Sequence, residues 1–286
     1  YEMTKYALEH FKHVLVVKPL TPTVEEGRKL IDLANANNLY CGVEFHKRFD
    51  RSNMMMRDTY QSGAIGIPLY LIVEYSQRKS IPTKMFQEWV HKTNILQYLG
   101  IHYIDIVRFV TRAVPVRVMA LGQKTWLQDH EIDSYDSIQC IVEWETSEGD
   151  KFTQTLLTNW IDPETTSSMS DQKIKIIGTK GRYEADQKER GIRLCVDESY
   201  LQQPNPDFCM SYKDQNGNSN WQGYGIDSIV DYLNRVTDFV ENDMNINNID
   251  NSSRSSFEES LISTSVLESA NKSLNLDGDW VVVDNR

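Results

Sequence analysis

Between residues 94 and 109 the apolar positions recur at the helical period, through Ile95, Leu99, Tyr103, Ile106 and, one turn on, Val110. Thr93 or Asn94 stands just before this stripe as an N-cap. Displaced around the same helix, Tyr98, His102 and Asp105 fall at i, i+4 and i+7 and share one edge. Gly100 lies between them, where alanine would favour a helix by roughly 1 kcal/mol. A glycine in that place predicts the close approach of another backbone or of a ligand. A histidine–aspartate pair on a helix is more often structural than chemical, so the pair by itself assigns no role.

Ahead of this helix, residues 1–11 have the pattern of the end of an amphipathic helix. Residues 14–17 are apolar throughout, the pattern of a short buried strand of a parallel sheet. Lys18-Pro19 ends that strand at the edge where α/β sheets bind ligands, although a lysine there is most often only a solvated end residue. Thr21-Pro22 predicts a helix start, with Glu25 and Glu26 in the first turn and Asn37-Asn38 at the close. Residues 40–45 form a second short strand leading into His46-Lys-Arg-Phe-Asp50. The order helix, strand, helix, strand is the tail of a doubly wound α/β domain. One more helix ends at Ser62-Gly63.

From Pro68 onward the pattern changes to long strands. Residues 69–77, 116–123, 137–145, 152–160, 173–177 and 182–185 predict an antiparallel sheet of about six strands, with short turns at Gly149-Asp150 and Gly178 to Gly181. Such a sheet packs helices on one face and leaves the other open for association. Residues 203–223 have the composition of a loop. Residues 226–240 predict an amphipathic helix, 257–274 a last helix and 281–283 a closing strand. The fold class is therefore α+β with an α/β remnant.

Composition narrows the function only by exclusion. Of 286 residues, 40% are hydrophobic and 25% charged, which suits a globular chain of two structural units. A net charge of −11 argues against non-specific nucleic-acid binding. No apolar run has the length of a membrane span, and no signal-peptide pattern is present. Cys41, Cys140, Cys195 and Cys209 are scattered, without metal-ligand spacing, which predicts reduced thiols, no metal and a cytoplasmic protein.

Five segments, taken in order, resemble the glucose–fructose oxidoreductase / inositol dehydrogenase (Gfo/Idh/MocA) family of NAD(P)-dependent oxidoreductases. Val17-Lys18-Pro19 is similar to the family's Glu-Lys-Pro motif, and His46 to Asp50 to the Arg-Phe segment that begins its second domain. Ser62-Gly-Ala-Ile-Gly66 is similar to its Ser-Gly-x-Ile-Gly turn. Leu99 to Asp105 is similar to its Gly-x-His-x-x-Asp helix, and Arg254 to Ser260 to its closing signature. Three places depart from the pattern: valine replaces the motif glutamate at Val17, Tyr98 stands where an aspartate is usual, and Lys92-Thr93-Asn94 replaces the usual glycine cluster before the helix.

The resemblance implies a Rossmann remnant over residues 1–48 and a substrate and oligomerisation domain over 49–286. It implies NAD or NADP as cofactor, a sugar or polyol substrate, and a homodimer or homotetramer. His102 would be the base, Lys18 the electrostatic partner of the reacting hydroxyl, and Tyr98 an orienting or relaying group, with Asp105 fixing the imidazole. Lys18, Pro19 and Arg48 would contact the cofactor, and Lys18, His46, Trp89, Lys92, Tyr98, His102, Trp160 and Asp171 the substrate. No G-x-G-x-x-G occurs in the sequence, which predicts that about 100 or more residues precede Tyr1 and that this chain alone binds a dinucleotide weakly. A different class of function also fits, a non-catalytic dinucleotide- or sugar-binding regulator of the same fold.

Overall fold

The computed structural model describes residues 1–197, 199–251 and 254–284. Helix α1 (Glu2–Glu9) leads into β1 (Val14–Val17), then α2 (Val24–Ala36) and β2 (Cys41–Glu44), and the two strands pair in parallel. The cap of α2 is Thr23, two residues beyond the predicted Thr21, and its hydroxyl accepts from Glu26 N at 3.3 Å. β1 is less buried than its wholly apolar sequence predicts, and Val17 is 68% exposed. A strand paired on one side only has cover on just part of its surface. A 3₁₀ turn at His46–Phe49 follows, and then α3 (Arg51–Gln61), where the Asp50 carboxylate accepts from Ser52 N at 3.0 Å.

The large sheet begins with β3 (Pro68–Arg78), followed by short helical turns and α4 (Ile101–Thr111). Next come β4 (Val114–Gln123), β5 (Ser137–Glu145), β6 (Lys151–Asp162), β7 (Ser170–Gly178) and β8 (Arg182–Asp186). After β9 (Met210–Lys213), β10 (Ser219–Gln222), α5 (Tyr224–Glu241) and α6 (Phe257–Leu274), strand β11 (Val281–Val282) joins the sheet edge. The order is β11-β4-β5-β6-β3-β7-β8, with every neighbouring pair antiparallel except β6 and β3, which run parallel. Alternation sets the inner face: Ile138, Cys140, Val142 and Trp144 are all buried on β5, opposite Leu156 and Phe152 of β6. Each such side chain contributes about 1.5–3 kcal/mol of burial free energy.

Helix α6 packs on β4 and on α4, and α4 lies so deep that every residue from Ile101 to Val107 is buried. A helix apolar on all sides belongs inside a protein. Two ion pairs fix it, the first buried and the second partly so. Arg48 reaches Asp105 through Nε–Oδ2 at 2.8 Å and Nη2–Oδ1 at 2.6 Å, and Arg108 reaches Glu259 of α6 at 2.9 Å. The segment leading into α6 also clamps β2, since Val43 N donates to Ser255 O at 2.8 Å and the Ser255 hydroxyl to Val43 O at 2.7 Å. Gly66, with φ of +75°, allows the turn after α3 to interlock with the β7–β8 connection, where a side chain would strike Thr179 Oγ1 at 2.4 Å.

Three expectations change. The stretch 203–223 is not all loop, because β9 and β10 form an antiparallel hairpin within it. The stretch from 94 to 109 is not one regular helix: Asn94 caps it, its Oδ1 accepting from Gln97 N at 2.9 Å, but Leu96–Gly100 wind as a π turn before α4 begins. Part of the apolar face of α5 is uncovered, with Ile229, Val230, Leu233 and Val240 exposed while Phe239 is buried against Tyr40 and Ile246.

Candidate active-site cleft

The carboxyl ends of β1 and β2, the π turn and the start of α4, and the ends of β3 and β7 surround a cleft of about 620 Å³. That volume suits a small ligand. β1 delivers Lys18, whose Nζ donates to the Tyr98 carbonyl oxygen and lies 4.3 Å from the centre of the Tyr98 ring. Phe86 and Trp89 pack edge-on against that ring, at 4.7 and 5.7 Å between centroids, and hold it in place. β2 delivers Glu44, whose carboxylate accepts from His46 Nδ1 at 2.9 Å and from the Ser228 hydroxyl at 2.8 Å. The His46 ring lies 4.7 Å from that of His102.

Electrostatics follow from burial. Loss of water brings the Lys18 ammonium down to about 8, with the charge of Glu44 opposing the shift. Burial also pushes His102 well below the ordinary imidazole value, and the positive charges of Lys18, His46 and Lys47 add to it. His102 is therefore a neutral imidazole near pH 7. Burial tends to raise Glu44, but the His46 and Ser228 hydrogen bonds and the charges of His46 and Lys18 outweigh it and hold the carboxylate low. Burial raises the Tyr98 phenol, which stays protonated.

Two buried polar atoms among the cleft residues have no hydrogen-bond partner: His102 Nδ1 and Gln77 Oε1. Each such orphan costs about 1–3 kcal/mol of desolvation, which a ligand hydroxyl would recover.

Of the residues singled out from sequence, the structure brings Lys18, His46, Trp89, Tyr98 and His102 to this cleft. It separates the others. Arg48 is held in its buried pair with Asp105 and does not line the cleft, nor does Pro19. Asp105, so engaged by Arg48, is not a partner of His102. Lys92 borders another groove, with His91, Asn94 and Lys124. Trp160 is fully buried behind Phe86 and Tyr98, its indole donating to Tyr135 O at 2.6 Å. Asp171 pairs with Lys188 and lines a depression with Glu74 and Asn159 on the open side of the sheet. Gly100 meets Leu96 of its own π turn rather than a ligand, at 2.5 Å from a would-be Cβ.

The sequence reading missed Glu44, Lys47, Gln77 and Gln187, all of which line the cleft. Lys47 had a signal, as a second basic residue directly after a strand end, but the glutamines had none. For a dinucleotide, the cleft offers the exposed Val17 and the Lys18 amine at the carboxyl ends of two parallel strands, the place where α/β folds hold a nicotinamide. With the orphaned His102 Nδ1 facing it, this edge fits the nicotinamide end. No glycine-rich phosphate loop occurs in the sequence.

Among the described residues no helix is long and apolar enough to cross a membrane, and no group of three or more metal-ligating side chains converges. All four cysteines are free.

Comparison with known proteins gives two family profiles. "Oxidoreductase family, NAD-binding Rossmann fold" matches residues 1–45, and "GFO/IDH/MocA C-terminal domain" matches residues 54–184. An uncharacterized oxidoreductase of Schizosaccharomyces pombe is 39% identical over 66 residues, 23% of this chain and 18% of that protein. The inositol 2-dehydrogenase of Rhizobium meliloti is 26% identical over 205 residues, 70% of this chain and 58% of that protein. The chain thus spans less than two thirds of either relative. In fold it is similar to the crystal structure of scyllo-inositol dehydrogenase from Lactobacillus casei with bound NAD(H) and scyllo-inositol. The TM-score is 0.69 at 16% identity, covering 98% of this chain and 76% of that one.

Proposed function

The chain belongs to the Gfo/Idh/MocA family of oxidoreductases, and from that premise we propose that it serves an NAD(P)-dependent dehydrogenase acting on a secondary hydroxyl of a sugar or polyol. The observation that carries this reading is the meeting of Lys18 and His102 in one cleft, where His102 Nδ1 and Gln77 Oε1 are buried without partners. Residues 1–48 present the cofactor edge and residues 49–286 the substrate side. Val17 and Lys18 would hold the nicotinamide of NAD or NADP, which would supply the hydride acceptor.

The chain's own groups do the rest. Lys18, oriented by the Tyr98 carbonyl and ring, turns a remaining N–H toward the reacting hydroxyl and stabilises negative charge on its oxygen. His102, neutral before reaction, accepts the hydroxyl proton. The Glu44 carboxylate, hydrogen-bonded to the neighbouring His46, offsets the positive charge that then forms on His102. Tyr98 orients Lys18, and its phenol, kept protonated, does not act as the base.

The inositol dehydrogenase among the relatives supports a polyol, and the glutamine-rich wall of the cleft offers both donors and acceptors to hydroxyl groups. The same reading includes pairing of two copies through the open face of the sheet, where Tyr70, Leu121 and Leu157 are exposed.

The test is reduced-cofactor formation with a panel of sugars and polyols. Turnover is expected, and His102→Ala should lower it by roughly 10²–10⁴-fold, the loss on removing a general base. Cofactor and sugar binding without turnover across the panel would overturn the dehydrogenase and favour the binding-protein reading.

A further inference from the structure

Lys47 sits at the floor of the cleft, 2% exposed, on the turn that follows β2. A lysine so buried normally has a carboxylate partner. Lys47 has instead two amide oxygens: its Nζ donates to Gln172 Oε1 and, at 3.0 Å, to Gln187 Oε1. Its flanks are ring faces, Tyr75 at 5.2 Å and Tyr103 at 5.4 Å. The nearby Asp50 is already bound by Arg190, and Glu44, the one carboxylate among the described cleft residues, is taken up by His46 and Ser228. Arg190, itself bound by Asp50 and Asp207, Lys18 and His102 are the other basic groups around it. An ammonium has three N–H donors and two are used here, so one remains for a ligand.

We propose that Lys47 binds a carboxylate of the substrate, so that the cleft takes a sugar acid in preference to a neutral polyol. The inference rests on the reading of this cleft as a sugar site. Charge counting favours a single negative charge. Glu44 is engaged by His46 and Ser228, and Lys47 is left with one N–H donor and no anion of its own, so a single carboxylate completes its surroundings. The glutamine amides at Gln77, Gln172 and Gln187 then remain for the hydroxyls. Burial holds the unliganded Lys47 amine down at about 7, so near pH 8 it is mostly neutral and must take up a proton as the carboxylate arrives.

The experiment is calorimetric titration of the protein with D-gluconate, D-glucitol and D-glucose 6-phosphate near pH 8, with reduced cofactor present to block turnover. Two buffers of different ionisation enthalpy count the protons. Gluconate should bind about tenfold or more tighter than glucitol, the gain when a neutral hydrogen bond becomes charge-assisted. Its binding should take up a substantial fraction of one proton, and glucitol none. Lys47→Met should bring the two affinities to about the same value. Equal affinities in the unaltered protein, or gluconate binding without proton uptake, overturn the inference while leaving the sugar site standing. Tighter binding of the phosphate ester overturns the choice of a carboxylate. If none of the three binds, the sugar reading falls with it. Should Lys47→Met fail to fold, the proton count on the unaltered protein decides.

Discussion

Replacing Lys18 by methionine separates the two groups assigned to the reaction. At a separation of about 4 Å and an effective dielectric near 20, an ammonium and an alkoxide attract by about 4 kcal/mol. At 1.4 kcal/mol per tenfold, loss of that charge lowers kcat/KM by about 10³-fold. Lys18 is only partly withdrawn from solvent, so a loss of about 10²-fold is the lower bound for the same mechanism. The pH profile carries the sharper test. Lys18 is an ammonium below about 8 and an amine above it, whereas His102, held well below the ordinary imidazole value, is neutral throughout. Oxidation of the substrate should therefore be level from about pH 6.5 to 7.5 and fall about tenfold per unit above pH 8, and the Lys18→Met profile should lack that limb. Initial rates of NAD(P)H formation across a buffer series measure it. A rate that rises through pH 8 and loses the rise in Lys18→Met would make the Lys18 amine the base and remove His102 from that role.

Asp105→Ala should destabilise the protein by about 3–5 kcal/mol in chemical denaturation, because it leaves the Arg48 guanidinium buried without its counter-ion. Arg48→Met combined with Asp105→Leu should recover most of that loss. A single-variant cost within about 1 kcal/mol of zero would mean that water reaches the pair. For assembly, sedimentation at micromolar concentration should find a dimer or tetramer that Leu157→Arg breaks, and a monomeric unaltered protein would refute pairing through the sheet face.

Legibility followed the periodicity of the residues. Strand β5 was read to the residue because Ile138, Cys140, Val142 and Trp144 alternate with polar neighbours, and α6 because its cap and apolar positions agree. The π turn escaped because its sequence suits an α-helix equally well, and only the packing of Leu96 against Gly100 reveals it. Lys18, Tyr98 and His102 were found because each sits at an element end or on a helix edge that pattern can predict. Arg48 and Asp105 were given cofactor and catalytic roles because no pattern says that two charged residues 57 positions apart will choose each other. Gln77 and Gln187 went unseen since an inward glutamine on a strand or just after one looks like any polar alternation until its neighbours are known.

The π turn at Leu96–Gly100 has a consequence for how the cleft tolerates change in length. Such a turn is an α-helix carrying one additional residue, and each residue advances a helix by about 100°. Everything before Gly100, including the Tyr98 ring that seats Lys18, is therefore out of phase with everything after it, including His102. Deleting a single residue here would let the backbone relax into a regular helix with all its own hydrogen bonds intact. It would also swing Tyr98 about a quarter of a turn away from the Lys18 amine. The helix would survive while the cleft lost its geometry, so this short segment is under a constraint of register that neither its stability nor its composition would disclose.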